Sequence, residues 1–169
     1  MSTTRGLTAT VAVLAAATVG VLAAQPALAH GDAPATPEVR SALAKTRAGV
    51  AAYHRVDRAL AAGFVPATEC VQGMGVHYAD LPRLFDGGVV DPSHPEVLVY
   101  EPQADGSMRL VATEFIVVDE GQARPTYAGV PFDGPSVLGG LPVYTLHAWV
   151  GLHNAHGIFT PHNEASTCG

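Results

Sequence analysis

Four histidines crowd the end of the chain in the run HAWVGLHNAHGIFTPH: His147, His153, His156 and His162. Another, His77, lies in GMGVHY, shortly after Cys70. Neutral imidazole is the commonest protein ligand for Zn and also suits Cu. The run LVATEFIVV places one carboxylate, Glu114, among apolar neighbours. A carboxylate in that setting must be paired, bind a metal or hold a proton. His77, Glu114, His147 and His153 therefore form a candidate set for a transition metal, Zn or Cu, or for a small-ligand pocket. Such a His/Glu set would leave a coordination position open to water. His94, flanked by Pro95, reads as a turn residue, and His54, beside Tyr53, as structural.

Other chemistries lack their patterns. There is no HExxH, and His153-Asn154-Ala155-His156 alone is not a specific motif. There is no GxSxG, and Ser93, Ser107, Ser136 and Ser166 fall in loops without a base at a meaningful spacing. No glycine-rich turn follows a strand and opens a helix, so nothing would cradle phosphate. Nine Lys+Arg stand against 15 Asp+Glu, a net charge of −6, which excludes a basic nucleic-acid binder. The rival to a metal or ligand pocket is a non-catalytic extracellular binding or interaction module without metal. There the same polar groups would be structural, and the partner an extracellular one.

Location is easier to read. Arg5, the apolar stretch from Leu7 to Leu22 and Ala27-Leu28-Ala29 follow the order of a secretory signal, with cleavage after Ala29. No later stretch is apolar enough to span a membrane. The expected organisation is a signal peptide over 1–29, a flexible arm over 30–35 and one globular domain over 36–169, secreted. Cleavage would make His30 the N-terminus, where its amine and imidazole can chelate copper if a second histidine joins them. In oxidising surroundings Cys70 and Cys168 read as one disulfide. The other reading, two thiolate metal ligands, lacks a CxxC.

The elements that must position these residues follow from periodicity. Thr36-Pro37-Glu38 opens a helix, and Val39, Leu43, Val50, Tyr53, Val56 and Leu60 keep one face to about residue 61, with Gly49 as the place for a bend. Gly63 caps its end. Residues 66–96 and 121–140 read as loops, rich in Gly and Pro. Strands are expected over 96–101, 108–118 and 142–150, the first two joined by a two-residue turn at Asp105-Gly106. Pairing outward from that turn puts Val97, Val99 and Glu101 on one face with Leu110, Ala112 and Glu114. Leu98 and Tyr100 then share the other face with Val111, Thr113 and Phe115. Both faces are apolar, so both should be covered. The fold class is α+β: one long N-terminal helix packed on a small antiparallel sheet with long loops.

The segments GMGVHY, DPSHPEVLVYEP, LVATEF and LHAWVGLHN, with the terminal Cys168, resemble a family of uncharacterised exported bacterial proteins. The likeness runs from about the long helix to the end of the chain. It implies export and a shared small fold, and it carries no activity or catalytic residue. The Ala-rich leader resembles those of actinobacteria.

Overall fold

The computed structural model describes residues 36–169, so the expected signal sequence, the expected cleavage site and arm, and His30 lie outside the described residues. The helix start is as expected. Helix α1 (Pro37–Gly49) opens with Pro37 and is capped by Thr36, whose hydroxyl accepts the Val39 N–H at 3.2 Å. The single long helix over 37–61 does not form. The chain continues as a 3-10 turn (Ala51–His54) and a short α2 (Val56–Ala61). Two contacts account for the break. A Cβ on Gly49 would lie 2.0 Å from the Ser93 carbonyl oxygen, so the backbones touch there. The Tyr100 hydroxyl donates to the Tyr53 carbonyl at 2.6 Å, capturing an acceptor that a continuous helix would use itself. Gly63, at φ +100°, then ends α2, with the Phe64 N–H returning to the Ala59 carbonyl.

The segment read as loop over 66–96 contains two strand pieces and a helical turn. These are β1 (Val65–Pro66) at its edge, β2 (Val76–Ala79) and α3 (Leu81–Leu84). The hairpin β3 (Val97–Pro102) and β4 (Met108–Val118) follows. A small pair, β5 (Thr126–Tyr127) and β6 (Val130–Pro131), leads to β7 (Asp133–Leu138) and β8 (Leu141–Ala148). The fold is α+β: a six-strand antiparallel sheet ordered β1-β2-β3-β4-β8-β7, with β5 and β6 apart. Gly134 and Pro135 hid β7 in the sequence; as an edge strand it tolerates them.

Both faces of the sheet are covered. On one, Phe115, Val117, Tyr144, Leu146 and Ala148 pack with Val39, Ala42 and Leu43 of α1 and with Phe159. Phe115 and Leu146 are fully buried, each contributing roughly 1.5–3 kcal/mol. On the other, Ala79, Val97, Val99, Ala112, Ile116 and Val143 lie under Trp149, Leu84, Leu152 and Ile158. The hairpin differs from expectation in one way that matters. Val99 faces Ala112 but Tyr100 faces Leu110, so Val111 is bulged out of register. Leu110 therefore joins Leu98 and Tyr100 rather than Val97 and Val99. The turn is also longer than two residues, with pairing ending at Pro102 and Met108.

Candidate metal centre

Three strands bring three of the expected ligands together on the face opposite α1. Glu114 on β4 stands directly across from His147 on β8. His77 on β2 stands across from Val99, one strand beyond. Its neighbour Ala79 and the pair Val97–Glu114 complete the adjoining row. The side chains converge over β3 because Val97 and Val99 are short. The ligand atoms of His77, Glu114 and His147 all lie within 4.8 Å of one another, and all three residues are buried. His77 Nε2 is 3.8 Å from one Glu114 oxygen and His147 Nδ1 is 3.5 Å from the other. The imidazole rings meet edge to face at 5.8 Å.

The electrostatics follow from burial. Desolvation pushes Glu114 up to about 7, against a smaller opposing pull from His77. Desolvation lowers His77, with Glu114 acting the other way. His147 falls to about 4 for the same reason, partly offset by the Asp133 carboxylate on β7. Both imidazoles are therefore neutral near pH 7, the form that binds metal. Neither contact to Glu114 is an ion pair under those conditions. No Lys or Arg among the described residues is paired with Glu114. His147 Nε2 is buried with no hydrogen-bond partner. A group left in that state costs about 1–3 kcal/mol, so packing alone does not explain the arrangement.

No family model, curated protein or solved structure matches this chain.

His153 does not join the other three. After Trp149 the chain turns off the sheet: the Gly151 and Leu152 N–H groups both donate to the carbonyl of the bulged Val111. That turn carries His153 out to an exposed position beside a cleft of about 580 Å³, also lined by Arg47 and Trp149. His94 sits in a turn, its Nδ1 2.8 Å from Asp91 Oδ2. Cys70 and Cys168 form the disulfide.

Two neighbours complete the surroundings of the group, one legible in the sequence and one not. Trp149, the chain's one tryptophan, stacks on His147 at 6.2 Å and donates its indole N–H to the Thr160 carbonyl at 2.7 Å. Alternation along the strand expected over 142–150 puts Trp149 on the same face as His147, and the structure agrees. Thr68 contacts the far side of the His77 ring, at 3.1 Å from Nδ1. Nothing in its sequence context marks it. Elsewhere on the sheet Glu96, 2% exposed, is another buried carboxylate, and its Oε2 accepts the Ile116 N–H at 3.1 Å.

Glu96 yields a pH prediction. Burial pushes its carboxyl from 4.5 up to about 7. The folded protein thus holds a proton that the unfolded chain releases. Its contribution is fully present below pH 4.5 and is lost as the pH rises through about 7. The shift corresponds to about 3 kcal/mol. Glu96→Gln keeps an acceptor for the Ile116 N–H and cannot ionise. Urea unfolding should find it more stable than wild type at pH 8, by up to that amount, with the difference vanishing by about pH 4. A variant less stable at pH 8 would contradict this account.

Proposed function

We propose that this is an exported, disulfide-tied protein that binds one divalent transition metal, Zn(II) or Cu(II), through His77, Glu114 and His147. The observation that carries the reading is the convergence of two neutral imidazoles and one uncompensated carboxylate within 4.8 Å on a buried sheet face. A divalent ion would supply the charge that Glu114 lacks and a partner for the imidazoles. Two nitrogens and one oxygen suit Zn(II), and three protein ligands leave its fourth position to water or a small ligand. Export is supported by the signal-like leader and by the disulfide, which fits an oxidising compartment. Among the described residues no helix is long and apolar enough to cross a membrane.

Titration of chelator-free protein with Zn(II) and Cu(II) tests the reading. One ion per chain is expected, with stabilisation of about 2.7 kcal/mol when free metal reaches a hundred times its dissociation constant. Trp149 fluorescence should change on loading, because its ring stacks on His147. Absence of binding by both metals would overturn the proposal.

A further inference from the structure

The Thr68 hydroxyl touches His77 twice. It accepts the His77 backbone N–H at 3.1 Å, and it lies 3.1 Å from the ring nitrogen Nδ1. The other ring nitrogen, Nε2, is the one that faces Glu114. Thr68 thus holds the ring from behind while its open nitrogen points into the group. We infer that Thr68 is the positioning residue of the metal centre: it fixes which nitrogen of His77 is offered to the ion, and rests on the metal-binding reading above.

The hydrogen-bond inventory makes this specific. A threonine hydroxyl has one donor proton and two acceptor lone pairs. The backbone N–H of His77 occupies one lone pair, leaving the proton and the second lone pair for Nδ1. A carboxylate beside Nε2 favours a proton on that nitrogen. Nδ1 is then bare, and the Thr68 O–H donates to it. A metal at Nε2 needs the lone pair there, so the neutral ring must carry its proton on Nδ1. The Thr68 oxygen then accepts from Nδ1–H. A rotation of one hydroxyl serves both forms, and the ring itself need not move. Alanine or valine could do neither, and a carboxylate at this position would hold only the second form.

The loop that presents Thr68 is fixed at both ends. The Ala67 N–H donates to the His77 carbonyl at 2.8 Å, and Cys70 is bonded to Cys168. The Ala67 bond, one residue from Thr68, is the tether that sets the hydroxyl against β2, while the bridge two residues further on anchors the tail.

The test compares wild type, Thr68→Val and Thr68→Ser by Zn(II) competition against a chromophoric chelator. Nitrogen-15 NMR of the His77 ring is read with and without Zn(II). Groups of this kind are worth about 10–100-fold in metal affinity. Thr68→Val should lose affinity by that factor, Thr68→Ser should restore it, and the Zn(II) form of wild type should carry the His77 proton on Nδ1. Melting curves show whether each variant is folded, and the comparison is made on folded protein. If wild type binds Zn(II) and folded Thr68→Val binds within about threefold of it, the role of Thr68 is overturned and the metal centre stands. A Zn(II) form with Nδ1 as the ligand also overturns it. If wild type binds no metal, both readings fall together.

Discussion

Metal-free Glu114→Gln should be more stable than wild type at pH 8, and should bind Zn(II) more than about a hundredfold more weakly. That factor is a lower bound, since groups that merely orient a ligand already reach it. The two effects share one cause. Glu114 is buried on the sheet face, and among the described residues the ionisable groups set against its oxygens are two neutral imidazoles, at 3.5 and 3.8 Å. Burial pushes it up to about 7, so the fold retains its proton beyond the pH at which the unfolded chain lets it go. The stability tied to that proton is whole below the ordinary carboxylate range and is lost as the pH passes about 7. By pH 8 the cost is about 3 kcal/mol. Glutamine has nearly the same shape and no charge, so it avoids that cost. It also lacks the anionic oxygen that a divalent ion needs. Urea unfolding of metal-free protein at pH 5 and pH 8, paired with Zn(II) competition, separates the two effects. A variant destabilised at pH 8 would show that Glu114 is held by a favourable partner. A variant that keeps wild-type affinity would remove Glu114 from the ligand set. Buried carboxylates that weaken a fold are expected where function requires them, and this position distinguishes the two demands.

How far the sequence reaches can be seen at particular residues. Glu114 was legible because a carboxylate inside LVATEFIVV has few places to go, and His147 because strand alternation sets its face. Their adjacency was not, since β4 pairing with β8 is a long-range choice. The two strands are separated by loops and by β7. His77 was found as a residue and misplaced as a loop. Its strand is four residues long and sits between Gly75 and Pro82, too short for periodicity to register. His153 was expected with His147 because they are neighbours in sequence. A bulge at Val111 sends the chain elsewhere, and no local pattern announces that bulge. The helix break had its cue in Gly49, but its cause lies in Ser93 and Tyr100, both remote in sequence. Thr68 was invisible because its role exists only once β2 folds back over it.

Replacing Cys70 and Cys168 together by alanine should cost about 4–5 kcal/mol, the value expected when a cross-link closing a loop near 100 residues is removed. The sequence separation here is 98. Most of that cost falls on the unfolded chain, because the native tail has other anchors. The Gly73 N–H donates to the Ser166 carbonyl, the Asn163 N–H to the Gly73 carbonyl and the Thr167 N–H to Glu101 Oε1. The Cys168 N–H reaches Gln72 Oε1 at 3.3 Å. The tail should therefore stay docked in the folded variant. His77, Glu114 and His147 are held by the ladders of β2, β4 and β8, which do not depend on the bridge. Zn(II) affinity of the folded variant should accordingly stay within about threefold of wild type, a shift of less than 1 kcal/mol. Denaturant unfolding and chelator competition on the same preparation measure both quantities. A large loss of affinity with little loss of stability would show that the bridge acts on the loop carrying Thr68, rather than on the unfolded ensemble. A large loss of stability with affinity preserved would place the disulfide and the metal centre in separate roles within one sheet.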